Sequence, residues 1–134
     1  MIFLLLLLSP LASFSPPPMT SLQQHIEVID TETLKHWLEE QKEMILVDAR
    51  AERYFDGNML PGAIYLPSNS SQEEILQKLP QKNIPLIVYC GGIDCPASTT
   101  LGTRLREMGY QEIYEYAEGI PAWMAAGYPL ERAF

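Results

Sequence analysis

The residue most able to do chemistry in this chain is Cys90. It ends the apolar run at residues 85–89 and is followed directly by Gly91 and Gly92. A helical stretch begins at about Ser98. A thiol between a strand end and a helix start lies among unpaired backbone N–H groups and near the positive end of the helix dipole. Both favour the thiolate, which is the reactive form of cysteine, so the sequence predicts a nucleophile at Cys90.

A second thiol, Cys95, stands five positions after Cys90. It could attack a sulfenic acid or a persulfide on Cys90 and close a disulfide, as resolving cysteines do. It could equally be a small residue that packs at the start of the helix. A disulfide needs the two Cα atoms within ~7 Å of each other, and the loop length alone does not decide that distance.

The elements that must position Cys90 alternate between strands and helices. Apolar runs predict five short strands, at residues 25–29, 44–47, 63–66, 85–89 and 112–116. Capping residues and apolar periodicity predict four helices, from Asp30 or Thr31 to about Gln41, from Ser70 or Ser71 to Leu79, at residues 98–108 and at 120–126. This order predicts an α/β fold, in which a small, mostly parallel sheet of about five strands has helices on both faces. Ligands bind beyond the carboxyl ends of such strands, which is where Cys90 stands.

The composition is that of one globular domain. The chain has 134 residues, of which 47% are hydrophobic and 19% charged. Its net charge of −8 argues against nucleic acid or an anionic membrane surface as a partner. His25 and His36 are far from both cysteines in sequence. Neither cysteine therefore belongs to a cluster with zinc-ligand spacing, and we expect no structural metal.

Residues 1–18 form an apolar leader that ends in a proline-rich break, and the domain is expected over residues 19–134. The apolar run has the length of a signal-peptide core and is short for a membrane span. No Lys or Arg precedes it, and Pro16 would follow the best cleavage site directly. The leader is a signal peptide, a membrane anchor or a misassigned start ahead of Met19. The first two imply a periplasmic, secreted or membrane-anchored protein, and the third a cytoplasmic one.

Four segments together resemble a rhodanese domain, and they span roughly residues 26–130. They are Leu46-Val47-Asp48-Ala49-Arg50, Leu60-Pro61-Gly62-Ala63-Ile64, Val88-Tyr89-Cys90 with the helix that follows, and Glu118-Gly119-Ile120-Pro121-Ala122-Trp123 with Gly127-Tyr128-Pro129. Each segment is weak evidence alone, but their order and spacing together are specific. The resemblance implies a single-domain rhodanese-like fold.

The resemblance also implies a sulfurtransferase. In that family the cysteine matching Cys90 takes a sulfane sulfur from a small donor, holds it as a persulfide and passes it to a thiol, to cyanide or to a sulfur-carrier protein. No cofactor takes part. The following loop would wrap the sulfur with its backbone N–H groups. The candidate substrate-binding residues are Gly91, Gly92, Ile93, Asp94, Cys95 and Ser98.

This loop departs from the family pattern. It is two residues longer than usual between Cys90 and Ser98, and it contains no Arg or Lys. Asp94, if it faced the sulfur, would raise the thiol pKa and repel anions. The use of thiosulfate as donor is therefore an open question. Met59 stands where the family often has His, and we expect that change to be structural and mild.

The remaining conspicuous residues are expected to be structural. Asp48 and Arg50 should form an ion pair that supports the site. Trp37 and Trp123 are expected to be core aromatic residues. Arg104 lies well into the third helix and is expected on a solvated face; the alternative is that it helps to orient an anion.

Two other functions compete with sulfur transfer. The chain could be a non-turnover module that senses redox state or sulfide, or binds a partner, with Cys90 and Cys95 as the switch. It could also be a cysteine-dependent phosphatase, but such enzymes clamp phosphate with an arginine in the loop, and this loop has none.

Overall fold

Strands and helices alternate along residues 26–133, the part of the chain that the computed structural model describes. The strands are β1 (Glu27–Val28), β2 (Ile45–Asp48), β3 (Asn58–Met59), β4 (Ile64–Tyr65), β5 (Leu86–Tyr89), β6 (Ile113–Tyr116) and β7 (Glu131–Arg132). The helices are α1 (Thr31–Glu39), α2 (Gln72–Lys78), α3 (Ala97–Glu107) and α4 (Gly119–Ala125), and a 3-10 turn at Glu52–Tyr54 follows β2.

Five strands form one parallel sheet in the order β1-β6-β5-β2-β4. The three central strands end at the same level, because Asp48 of β2 pairs with Tyr89 of β5, which pairs with Tyr116 of β6. The predicted α/β fold is thereby confirmed. β3 and β7 form a separate antiparallel pair that the sequence analysis missed, since two-residue strands have no readable periodicity.

Helices cover both faces of the sheet, as predicted. Alternate residues of β5 face opposite sides: Leu86 and Val88 belong to one apolar cluster, and Ile87 and Tyr89 to the other. The first cluster includes Ile75 and Leu79 from the α2 segment and Leu101 and Leu105 from α3. The second includes Leu34 from α1 and Trp123 from α4. A central strand buried on both faces reads as an unbroken apolar run, which is why β5 was conspicuous in the sequence.

The element boundaries differ from those predicted by one to three residues at several ends. α1 ends at Glu39 rather than near Gln41, because Gln41 takes a left-handed backbone conformation with φ of 55°. α2 begins after Ser71, whose hydroxyl accepts the amide of Glu74 at 3.1 Å. α3 begins at Ala97, one residue before the predicted start.

The first predicted strand shortens to Glu27–Val28, and residue 25 lies outside the described residues. The leader at residues 1–18 also lies outside them, so its three interpretations stay predictions. Over residues 26–133, no helix combines the length and the apolar character that crossing a bilayer requires.

Candidate active site

Cys90 lies directly after β5, at the edge of the sheet where the central strands end. It lines a pocket of about 720 Å³. One wall comes from the loop between β5 and α3 and consists of Cys90, Gly91, Gly92, Asp94, Cys95 and Pro96. The opposite walls consist of Arg50, Arg53 and Tyr54 after β2, and of Ile120 and Pro121 in α4. The pocket therefore lies where a parallel α/β sheet is expected to bind its ligand.

Cys90 and Cys95 are joined by a disulfide. Their Cα atoms are 6.2 Å apart, within the usual range for such bonds. Cys90 is 1% exposed, whereas Cys95 is half-buried. The structure thus holds the pair oxidised, and the predicted role of Cys90 as a nucleophile would require reduction of this disulfide. A role of Cys95 as resolving thiol stays a prediction at this point.

The loop that follows Cys90 is a tight turn with unused amide groups. The Cys95 amide donates to the carbonyl of Gly92 at 3.1 Å, and Gly92 has a φ of +139°. Among the atoms of residues 26–133, the amides of residues 91–94 find no hydrogen-bond acceptor. Successive unpaired N–H groups at a turn make a site for an anion. The loop can therefore stabilise a negative charge within the pocket without a basic side chain.

Gly119, at the start of α4, packs directly against the backbone of this loop. It has a φ of +64°, and a Cβ atom built on it would lie 2.4 Å from the carbonyl oxygen of Cys90 and 2.8 Å from the amide nitrogen of Gly92. The next residue, Ile120, donates its amide to the same Cys90 carbonyl at 3.3 Å. Only glycine fits this position, because both the backbone conformation and the space exclude a side chain. Its place in the Glu118-Gly119 segment was the available sequence signal.

Asp48 and Arg50 form the expected ion pair, in which Arg50 lines the pocket and Asp48 lies behind it. The Arg50 Nη2 and Asp48 Oδ2 atoms are 2.8 Å apart, and Nε donates to both carboxylate oxygens at 3.0 and 3.1 Å. The two side chains are 6% and 0% exposed. Burial acts to lower the pKa of Arg50, but the hydrogen bond and the charge of Asp48 outweigh burial and raise it. Arg50 therefore remains a cation that Asp48 neutralises.

The other donors of Arg50 hold the chain after β2. Nη1 donates to the carbonyl of Tyr54 at 3.5 Å and to Oδ1 of Asp56 at 3.4 Å. Nη2 also donates to the carbonyl of Asn58 in β3. All three guanidinium nitrogens are thus engaged within the protein, which makes Arg50 a positioning residue rather than a ligand for a substrate anion.

Tyr89 extends this buried network. Its hydroxyl donates to Oδ2 of Asp48 at 3.1 Å and accepts the amide of Leu60 at 3.1 Å. Burial, and after it the charge of Asp48, raises the pKa of Tyr89, so the phenol stays protonated. The network joins β5, β2 and the turn before β4 at the end of the sheet that carries Cys90.

Arg53 and Tyr54 were not anticipated as site residues. They lie in the 3-10 turn that Arg50 holds, and both are exposed at the pocket. The Arg53 guanidinium lies 4.8 Å from the centre of the Tyr54 ring, and within residues 26–133 it forms no ion pair. The pocket therefore has a cation from outside the loop, opposite in charge to Asp94. The signal was available, because a segment that follows a neighbouring strand must reach the same edge of the sheet.

The predicted site residues are only partly brought together. Cys90, Gly91, Gly92, Asp94 and Cys95 line the pocket. Ile93 is 77% exposed and lies outside the lining. Ser98 also lies outside it, since its hydroxyl is buried and donates to Oε1 of Glu115 in β6 at 2.9 Å. Asp48 lies below the lining rather than in it. Substrate binding by any of these residues stays a prediction.

Arg104 differs from its expected placement. Its Nη1 donates to the carbonyls of Ser68 and Ser70 at 2.8 and 2.7 Å, so it fixes the chain ahead of α2 instead of facing solvent. It is not in the pocket lining. Across residues 26–133, no three His, Cys, Asp or Glu side chains come together as a metal site would require.

Comparisons with known proteins agree with this geometry. The sequence model of the family described as "Rhodanese-like domain" matches residues 30–126. A curated relative, "Thiosulfate sulfurtransferase GlpE" of Actinobacillus succinogenes, is 32% identical over 91 residues, which are 67% of this chain and 78% of the relative.

Solved structures share the fold. The BH2092 protein from Bacillus halodurans matches with a TM-score of 0.71 at 24% identity, over 80% of this chain and 77% of that one. The rhodanese-like domain of the Anabaena Alr3790 protein matches with a TM-score of 0.63 at 24% identity, over 81% and 80%. A thiosulfate sulfurtransferase from Pseudomonas aeruginosa matches with a TM-score of 0.66 at 23% identity, over 84% of this chain but 21% of that one. At these identities the likeness shows the fold alone.

Proposed function

The chain belongs to the rhodanese-like domain family, and on that basis we propose that it is a sulfurtransferase whose reduced Cys90 carries the transferred sulfur as a persulfide. The observation that carries the proposal is the position of Cys90, which lies in a pocket at the carboxyl edge of the sheet and is followed by amides without a partner among residues 26–133. The similarity to a thiosulfate sulfurtransferase supports the same reaction class. The non-turnover module is not favoured by these comparisons.

The reaction has two displacement steps. After the disulfide is reduced, the Cys90 thiolate attacks the outer sulfur of the donor, and the donor's remainder leaves with the electron pair of the broken bond. The extra sulfur is then bound to Cys90 as a persulfide, whose negative charge the amides of residues 91–94 stabilise. A thiolate, cyanide or a carrier protein attacks that outer sulfur, and the Cys90 thiolate leaves.

The incoming donor passes two side chains, one positively and one negatively charged. Arg53 supplies the cation that the loop itself lacks, while Asp94 opposes anions on the other wall. Thiosulfate, with two negative charges, should therefore bind weakly and in a salt-dependent manner. A persulfide brings at most one negative charge on its sulfur end, which is the end that enters the pocket. We propose that both donor types react and that the persulfide reacts faster.

A turnover assay tests the proposal. The reduced protein is incubated with cyanide and in turn with thiosulfate, mercaptopyruvate and glutathione persulfide, and thiocyanate is measured. Cys90→Ser should lose the activity with every donor. Cys95→Ser is the matched control, since it removes the other thiol of the pocket and should still form thiocyanate. Full activity in the Cys90→Ser variant would refute the proposal.

A further inference from the structure

The second thiol of the pocket has no part in the reaction above. Cys95 lines the same pocket as Cys90 and is bonded to it. A plain sulfur carrier needs one cysteine, and an external acceptor would complete its turnover. The structure instead places a second sulfur atom within bonding reach of the carrier.

We propose that Cys95 resolves the Cys90 persulfide, so that the protein releases the sulfane sulfur as sulfide and closes the Cys90–Cys95 disulfide. This inference rests on the proposed function, because it begins from the persulfide. It adds a second activity, the reductive release of sulfide, which needs no sulfur acceptor.

The step balances in atoms and electrons. The Cys95 thiolate attacks the inner sulfur, Sγ of Cys90, and forms the Cys90–Cys95 bond. The bond between Cys90 Sγ and the outer sulfur breaks, and the outer sulfur takes both the electron pair and the proton that the Cys95 thiol has lost, so that it leaves as HS⁻. The two cysteine thiols together lose two electrons and the sulfane sulfur gains them. A dithiol then reduces the disulfide and is itself oxidised, which restores both thiols.

The loop keeps Cys95 in position for this attack. The Cα atoms of the two cysteines are 6.2 Å apart, and the Cys95 amide bonds to the Gly92 carbonyl between them. The other end of the loop is held by the Ile120 amide on the Cys90 carbonyl. Both contacts are backbone hydrogen bonds that involve neither sulfur atom. Cys95 therefore attacks as an intramolecular nucleophile, at an effective concentration of about millimolar or more.

The difference in exposure of the two cysteine residues suits the reductive half of the cycle. Cys90 is 1% exposed and Cys95 is half-buried, so an incoming dithiol meets Cys95 first. Attack on Cys95 Sγ makes Cys90 the leaving thiolate, and the amides of residues 91–94, which find no acceptor among residues 26–133, follow it directly in the loop. A stabilised thiolate leaves faster in thiol–disulfide exchange. Reduction thus regenerates the nucleophile that the first half-reaction requires.

A single-turnover experiment tests the inference. The protein is reduced, freed of reductant under nitrogen, and mixed at about 10 µM with one equivalent of glutathione persulfide, after which free sulfide and intact mass are followed. The unaltered protein should release its sulfur as sulfide and end as the disulfide. Cys95→Ser and Cys95→Ala should both accumulate the Cys90 persulfide and release sulfide about 100-fold more slowly, because only intermolecular thiols at micromolar concentration remain. Addition of dithiothreitol should then release the sulfide.

The outcomes separate the two proposals. If the unaltered protein and both Cys95 variants hold the persulfide equally long, resolution by Cys95 is refuted and the sulfurtransferase proposal stands. If no variant that retains Cys90 takes up sulfur, both proposals are overturned.

Discussion

Replacement of Gly119 by alanine, compared with the same replacement at Gly127, should distinguish a loss of fold stability from a displacement of Cys90. Gly119 and Gly127 both have left-handed backbone angles, with φ of +64° and +82°, and each follows or begins α4. Alanine in that conformation costs about 1–2 kcal/mol at either position. At Gly127 nothing lies within 4 Å of the added Cβ, so Gly127→Ala has only that cost.

At Gly119 the added Cβ would lie 2.4 Å from the Cys90 carbonyl oxygen, whereas ordinary contact begins at 3.4 Å. The Cys90 backbone must therefore move by about 1 Å, which is the difference between these distances. Overpacking of this kind adds about 1–3 kcal/mol. A displacement of that size at a reacting group lowers a rate by about 100-fold.

We therefore expect Gly127→Ala to lower Tm by about 4–8 °C and Gly119→Ala by about 8–20 °C, at about 4 °C per kcal/mol for a domain of this size. The rate of persulfide formation on reduced Cys90, followed by rapid quench and intact mass spectrometry, should fall about 100-fold in Gly119→Ala only. Equal rates and equal Tm values in the two variants would refute the assigned role of Gly119.

Four further substitutions test the site and one ionisable group outside it. Arg50→Met leaves a buried carboxylate without its partner, so the free energy of unfolding in urea should fall by about 3–5 kcal/mol, and a loss under about 1 kcal/mol would contradict a buried ion pair. Arg53→Gln should raise KM for thiosulfate and Asp94→Asn should lower it, each by up to about fivefold at low salt, because both charges are exposed. The kcat values should change little. Unchanged KM values in both variants would show that neither charge acts on the incoming donor. The hydrogen bond to Glu112 raises the pKa of Tyr114 to about 12 from 10.0. Because the folded pKa exceeds the unfolded one, this contribution to stability is complete below pH 10 and is lost as pH rises through 12. In urea unfolding, Tyr114→Phe should therefore lose less free energy of unfolding than the unaltered protein as the pH rises between these values. An unchanged pH dependence would be inconsistent with the raised pKa of Tyr114.

The central elements could be predicted from the sequence because they are buried on both faces. In β5 all four residues are fully buried, so it is an unbroken apolar run, and the position of Cys90 at its end follows directly. The rim of the sheet could not be read in the same way. β3 and β7 are two residues each and pair although they lie far apart in the sequence. Arg50 contacts the Asn58 carbonyl of β3, and such a tertiary contact is not visible in the sequence.

The pocket was predicted on its loop side and missed on the facing side. Residues adjacent to Cys90 in sequence are necessarily near it, which is why Gly91, Gly92 and Asp94 were found. Arg53 approaches from the turn after another strand, which Arg50 contacts through the Tyr54 carbonyl, so its place in the pocket depends on tertiary structure. Ser98 is the opposite case, because it is near Cys90 in sequence but does not line the pocket. It lies in the first turn of α3, where its hydroxyl donates to Glu115.

The most direct test of sulfur carriage by Cys90 is peptide mapping of the sulfur-loaded protein. The Cys95→Ser variant, reduced and exposed to glutathione persulfide, is blocked with an alkylating agent, digested and sequenced by tandem mass spectrometry. One additional sulfur atom on the peptide that contains Cys90, absent from Cys90→Ser treated in parallel, is the expected result. Cys90 that is alkylated without additional sulfur, under conditions where the donor is consumed, would contradict its role as the sulfur carrier.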